Sequence, residues 1–554
     1  MLATLSVAAL ALSAPCSQQQ SSRIGIHPPK LVVLISIDQF RGDYVERYSP
    51  YFLPAKVNGK IGGFKFLMET GAHFRSAIHN HIPTATGPGH ATLMSGSEPA
   101  YDGIVSNDWF DREKGKSIYC VYDPLVECVG GKSEPESPRN LLVTTVGDEL
   151  KMATNGRSKV VGVAVKDRAA ILMAGHAADA VVWYEPSTAN WVTSSWYAPT
   201  KQLPTWVAAY NSERQVDKEA GKVWEPLLPN DDYIITRKAP AEKPSPNDKT
   251  FSHQFDSKLG KALFSGVITS RFGNEMTFAV AERAVNAEKL GQHDVPDVLV
   301  INLSSNDYVG HQYGPNSPEV MDMTVRTDRL LSEFMNQLNS SVPGGIDNVA
   351  MVVTGDHGVV PIPEESNDIY KTGVIRNVGE SVVKAVSGAL TSKFGEGSWV
   401  LGGTMFEQNL YLNRDLAKSK GLKMADVEEA AAEAADSVKG VFRAYTRSQI
   451  RTNQVPAYPW RERLINGFND QKGGDVMVLE APGNYSYSGT GTGHGAIWDY
   501  DAHVPILFRA KGIKPGIYLN RVHTSDIAPT ICRLLGIEVP SGNVGVPLVD
   551  TIVR

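Results

Sequence analysis

Thr86 stands in Ile82-Pro83-Thr84-Ala85-Thr86-Gly87-Pro88-Gly89-His90-Ala91-Thr92-Leu93-Met94, a small-residue turn running into an apolar segment of helical character. A threonine at the mouth of a helix has its hydroxyl beside unpaired backbone N–H groups and the positive end of the helix dipole. Both favour an alkoxide and the anion it attacks. The flanking glycines keep side chains off the approach path, and Thr86 reads as a nucleophile; the alternative is an ordinary N-cap threonine. Asp38, Asp307 and Asp356 with His311, His357 and His494 are metal-ligand types, enough for two zinc-type ions with three protein ligands each and open positions. Two divalent ions against three carboxylates leave an excess of about one positive charge before Lys166 and Arg168 are counted, so the pocket attracts a dianion. Ions roughly 4 Å apart activate a nucleophile and stabilise the leaving oxygen of an in-line displacement.

These residues sit mostly where buried strands end. Leu31 to Ile37, Ser158 to Val165, Asp297 to Leu303 and Val349 to Thr354 are largely continuous apolar runs, as in parallel strands covered on both faces. They deliver Asp38, Lys166-Asp167-Arg168, Ser304 through His311 and Gly355-Asp356-His357-Gly358, and strand C-termini are where open α/β sheets place their chemistry. In extended chain Lys166 and Arg168 share a face that Asp167 leaves: either two cations aimed at an oxyanion or a solvated loop cluster. Asp307 and His311, four positions apart, meet on one helical turn or in a tight loop. His494 lies in Gly489-Thr490-Gly491-Thr492-Gly493-His494-Gly495, too glycine-rich for a packed core. Asn107 is a turn residue or an amide donor to a substrate oxygen.

The expected class is α/β, a largely parallel sheet flanked by helices, with cap insertions. Residues 1–22 read as a signal peptide and leader, which places the protein in the periplasm or outside the cell. Residues 23–554 read as a single domain with insertions at about 185–257 and 361–474. The first, with Trp191, Trp196 and Trp206, is expected to cover the sheet around a small core of its own. The second reads as an α+β subdomain, with helical spacing from Met424 to Val438 and a short strand from Asn409 to Leu412. Cys120 and Cys128 are close enough in sequence to close a small loop through a disulfide, and Cys532 reads as a buried thiol on a helix. A formal net charge of -6 and the lack of a dense Lys/Arg block argue against nucleic-acid recognition. After the leader, no stretch is long and apolar enough for a membrane span.

In chain order, Ile37-Asp38-Gln39-Phe40-Arg41, Thr86-Gly87-Pro88-Gly89-His90-Ala91, Asn107, Lys166-Asp167-Arg168, Asp307 through His311, Thr354-Gly355-Asp356-His357-Gly358 and Gly491-Thr492-Gly493-His494-Gly495 resemble the alkaline phosphatase superfamily. The likeness is to its threonine-nucleophile branch, shared with nucleotide pyrophosphatase/phosphodiesterases, and to secreted bacterial monoesterases of the PafA and PhoK type. It runs from Leu31 to Leu535. The resemblance implies an alkaline-phosphatase-like core, one zinc on Asp307, His311 and His494, and a second on Asp38, Asp356 and His357 beside Thr86. It places Asn107, Lys166 and Arg168 on the non-bridging phosphoryl oxygens. The implied activity is hydrolysis of small-molecule phosphate monoesters through a phosphothreonine at a two-zinc site, with the acidic loops as candidates for additional Ca2+. A diesterase has no need of Lys166 and Arg168, since an ester substituent replaces one oxygen they would bind. A sulfatase needs Cys or Ser at Thr86, and a non-catalytic secreted metal- or phosphate-binding protein leaves Thr86 and its glycines without a purpose.

Overall fold

A computed structural model of the chain describes residues 28–236, 251–487 and 489–548; the leader at 1–22 lies outside them. An eleven-stranded sheet forms its centre. Five adjacent strands are parallel: Val349–Gly355, Leu31–Ile37, Asp297–Leu303, Val160–Ala164 and Ala180–Glu185. All residues of these strands are buried, which is why their sequences run apolar without alternating. His503–Arg509 and Ala72–Ile78 extend one side in antiparallel pairing, Asn190–Ser194 and Cys128–Val129 the other. Leu31, Val33, Ile35 and Ile37 point into one apolar layer with helices Arg271–Ala287 and Pro318–Ser341. Val32 and Leu34 point into the opposite layer with Thr86–Ser95, Asp167–Ala174 and Ile527–Leu535, the last carrying the buried Cys532.

Strand register places the chemistry. Ile37 is level with Leu303 on one side and Gly355 on the other, so the next residues, Asp38, Ser304 and Asp356, emerge side by side at the carboxyl end of the sheet. Ala164 is level with Asn302, and two residues on the Lys166 N–H donates to Ser304 Oγ at 3.0 Å.

The stretch at 185–257 differs from the expected cap. Asn190–Ser194 pairs with Ala180–Glu185 as a strand of the main sheet, and Trp191, Trp206 and Trp224 join the same apolar layer as Leu31 and Val33. Scattered tryptophans carry no periodicity that says which core they enter; Trp196 stays exposed. The second stretch has a small sheet and an apolar cluster of its own. Val476–Glu480 pairs antiparallel with Asn409–Leu410 and Val441–Thr446, and helices Val378–Phe394 and Met424–Asp436 bury against these strands in a separate apolar cluster. Its last strand lies beyond the expected boundary at 474. The described cysteines are free. Cys120 is buried, Cys128 accepts from Ser133 Oγ at 3.2 Å, and no disulfide closes the loop between them. No helix among the described residues is long and apolar enough to cross a membrane.

Candidate active site

Thr86 is buried and is the first residue of helix Thr86–Ser95, while Ala85 occupies the N-cap. Its hydroxyl faces two cations, with Lys166 Nζ at 3.3 Å and Arg168 Nη2 at 3.4 Å from Oγ1. Lys166 is the N-cap, and Arg168 the second residue, of helix Asp167–Ala174. The two therefore do not share a face of extended chain; the turn into the helix brings both to Thr86. Asp167 accepts from the Tyr119 hydroxyl, and Arg168 Nη1 donates to that hydroxyl at 3.0 Å.

The glycines around Pro88 serve packing rather than an approach path. A Cβ on Gly89 would lie 2.2 Å from the Asp356 carbonyl oxygen, and one on Gly87 3.2 Å from Asn107 Oδ1 and 3.3 Å from Cys120 Sγ. Behind Thr86, His90 Nδ1 donates to the Thr86 carbonyl at 2.8 Å, and its Nε2 accepts from Asn302 Nδ2 at 2.9 Å. Burial pushes His90 down to about 4, so the ring is neutral, as this pairing requires.

The aspartates and histidines gather into two groups, Asp307–His311–His494 and Asp38–Asp356–His357. Within each, one ligand-type atom per residue lies within 4.8 Å of the others. His311 Nε2 is 3.1 Å from Asp307 Oδ1 one turn away on helix Ser305–Tyr313, and His494 Nε2 is 3.6 Å from the same oxygen. The His357 and His494 rings stack 3.6 Å apart, so the groups adjoin. Each histidine turns Nδ1 to a backbone carbonyl: His311 to Thr492 at 2.7 Å, His357 to Gly358 at 2.9 Å and His494 to Thr84 at 2.8 Å. A carbonyl only accepts, so Nδ1 carries a proton and Nε2 is the nitrogen turned toward the other members of the group, the one available to a metal.

Asp38 Oδ2, Asp356 Oδ2 and His357 Nε2 are buried and make no hydrogen bond, a cost that a bound cation would remove. Burial first, then the Asp356 carboxylate, raise Asp38 to about 7. Lys166 Nζ reaches Asp38 at 3.0 Å and Asp307 at 2.6 Å; burial opposes its charge, but these two carboxylates hold the lysine above its usual value. Burial opposes charge on His357, but Asp356 beside it raises the ring to about 9, so a proton takes a place that a cation would fill. The nitrogen and oxygen donors of both groups fit divalent metals.

Four residues of the site have no role readable from their sequence context: Gln39, His90, Asn302 and Glu407. Gln39 has a left-handed φ of 60°. Its backbone N–H donates to Asp356 Oδ1 at 3.0 Å and its Nε2 to Asp307 Oδ1 at 2.7 Å, tying the two groups together. A Cβ on Gly310 would meet Gln39 Oε1 at 1.7 Å, so the glycine between Asp307 and His311 makes room for that amide. Asn107 Oδ1 accepts from the Gly87 N–H at 2.8 Å, and its Nδ2 donates to Glu407 Oε1 at 2.8 Å. Gln39 and His90 at least lie inside the motifs; Glu407 lies 300 residues from Asn107, in the second insertion.

A family model described as type I phosphodiesterase / nucleotide pyrophosphatase matches residues 32–503. The chain belongs to this family. A similar member is alkaline phosphatase PafA of Elizabethkingia meningoseptica, 36% identical over 536 residues and 95% of each chain. A Myroides odoratus protein named calcium-transporting ATPase is also 36% identical, over 543 residues and 95% of each chain. The crystal structure of wild-type alkaline phosphatase PafA matches with a TM-score of 0.86 at 34% identity, over 95% of this chain and 100% of that one. This family member has the alkaline-phosphatase-like α/β core, its largely parallel sheet included.

Proposed function

We infer that the protein is an alkaline phosphatase, a secreted phosphate monoester hydrolase that works through Thr86. The observation that carries this reading is the convergence of Lys166 and Arg168 on Thr86 Oγ1, at 3.3 and 3.4 Å, beside two three-residue ligand groups. Two zinc ions, one on Asp307, His311 and His494 and the other on Asp38, Asp356 and His357, would supply an activated hydroxyl and a neutralised leaving oxygen. Thr86 Oγ1 bonds to phosphorus as the ester P–O bond breaks, giving a phosphothreonine and the free alcohol. Water then attacks the same phosphorus, releasing inorganic phosphate and restoring Thr86. If Asp38 and Asp307 held metal, the Lys166 ammonium, which now bonds to both, would be freed to turn its donors to the phosphoryl oxygens. Arg168 offers a second, forked set, held in place by Tyr119, and Asn107 adds an amide N–H.

The ATPase name of the Myroides relative is chemically compatible, since ATP ends in a phosphoryl group with the same non-bridging oxygens. The family description favours a second reading, a diesterase. A diester masks one of the three oxygens that Lys166, Arg168 and Asn107 would share. The deciding experiment measures kcat/KM for an aryl phosphate monoester and its methyl diester in wild type and in the Lys166→Ala, Arg168→Ala double variant. Loss of roughly 2 to 4 kcal/mol of transition-state stabilisation per contact is expected for the monoester and far less for the diester. Equal losses on both substrates would remove the case for a monoesterase.

A further inference from the structure

We propose that Glu407, supplied by the inserted subdomain, is a positioning residue that sets the Asn107 amide for contact with the phosphoryl group; this rests on the reading of Asn107 given above. Glu407 and Gln408 form the tip of a tight turn in which Phe406 and Asn409 exchange backbone hydrogen bonds at 2.9 Å each. Both tip residues have left-handed φ values, 41° and 69°. Such a two-residue tip favours Asn and Gly, and long side chains there are strained. Strain of this kind persists where the surroundings over-determine it, and it is found preferentially at functional sites.

The surroundings are specific. Glu407 Oε2 accepts from Ser106 Oγ at 2.5 Å and from the Asn107 backbone N–H at 3.2 Å, while Oε1 accepts from Asn107 Nδ2 at 2.8 Å. Gln408 Nε2 donates to the Gly495 carbonyl at 2.7 Å, which anchors the same turn next to His494. The carboxylate thus grips both the main chain and the side chain of Asn107. It also decides which way the amide faces. A carboxylate is acceptor-only and the Gly87 N–H is donor-only, so the reversed amide would set acceptor against acceptor and donor against donor. In the observed orientation one N–H of Nδ2 is committed to Glu407 and the second is left for a ligand oxygen. Without Glu407, Asn107 keeps a single side-chain tether, the Gly87 N–H, and its loop loses its link to the subdomain.

The test is a double-mutant cycle with an aryl phosphate monoester, using wild type, Glu407→Ala, Asn107→Ala and the double variant, with the same cycle run for Glu407→Gln, which keeps the shape. Glu407→Ala is expected to lower kcat/KM about tenfold in the wild-type background and no more than about twofold when Asn107 is already Ala. Glu407→Gln should lose less than Glu407→Ala, because its remaining oxygen can still accept from Nδ2. Thermal melting of each variant identifies any that fails to fold, and the Gln cycle then decides. An equal loss in both backgrounds, or none in the wild-type background, would overturn the positioning role while leaving the phosphatase reading intact. An Asn107→Ala variant with full activity would overturn the role of Asn107 and this proposal with it.

Discussion

Gly89→Ala adds one methyl group at the point where the Thr86 helix rests on the Asp356 strand end. The new Cβ would lie 2.2 Å from the Asp356 carbonyl oxygen and 2.9 Å from its carbonyl carbon, whereas ordinary contact begins at 3.4 Å. Both obstacles are backbone, so the first turn of the helix and Asp356 must part by about 1 Å. Alanine gains about 1 kcal/mol over glycine in a helix, but overpacking costs about 1–3 kcal/mol, so a small net destabilisation is expected. The larger effect is on rate. A misplacement of about 1 Å between nucleophile and ligand group is worth about a hundredfold in kcat/KM. Gly388 is the matched control: it lies inside helix Val378–Phe394, exposed, with nothing within 4 Å of its would-be Cβ. Gly388→Ala should raise stability by about 0.5–1 kcal/mol and leave kcat/KM unchanged. Thermal melting and steady-state kinetics on a monoester measure both. Wild-type kcat/KM in Gly89→Ala, or a stability gain equal to that of Gly388→Ala, would refute the claim that close packing at Gly89 aligns the nucleophile.

Elemental analysis of protein purified without added metal should find two zinc equivalents, and chelation should abolish turnover until zinc is restored; full activity in metal-free protein would sink the two-metal reading. Thr86→Ala should keep fold and metal content yet lose most turnover, and an acid quench of the wild type with substrate should leave phosphate on the Thr86 peptide. Burial, opposed by the Ile104 N–H and reinforced by Glu98, raises Asp102 to about 7. The native state therefore holds this proton more tightly than the unfolded chain, so the contribution of Asp102 to stability is greatest below about pH 4 and is lost as pH rises to about 7. Asp102→Asn removes that dependence, and the gap between wild type and variant in denaturant unfolding should change by up to about 4 kcal/mol between pH 4 and pH 8.

The buried strands were legible because two-sided burial forces continuous apolar runs, and their ends pointed to Asp38, Lys166 and Asp356. The helix-borne pair Asp307 and His311 was legible from its spacing. What stayed hidden depended on shape rather than type. Arg168 meets Thr86 only because the chain turns into a helix after Lys166, which an extended-chain picture misses. The glycines beside Pro88 read as clearance for a substrate, whereas they clear space for Asp356, Asn107 and Cys120. Gln39 acts through a left-handed backbone that no side-chain pattern announces, and Glu407 acts across 300 residues from a segment without a motif. Trp191, Trp206 and Trp224 of the first insertion belong to the main core, a matter of three-dimensional neighbours that local composition does not encode.

The order of strands in the sheet has a consequence for the life history of the molecule. The strand from Leu31 to Ile37 is made before both of the strands that flank it in the sheet, from residues 297–303 and 349–355. Such distant pairings form late and slowly. One candidate ligand group is complete in sequence at His357, while the other waits for His494. A chain cut short before that point holds Thr86, Lys166, Arg168 and one ligand group, but lacks the second. On the two-metal reading an unfinished or broken copy would be silent, and phosphate esters in the compartment where the chain is made would be spared until the second ligand group had been added.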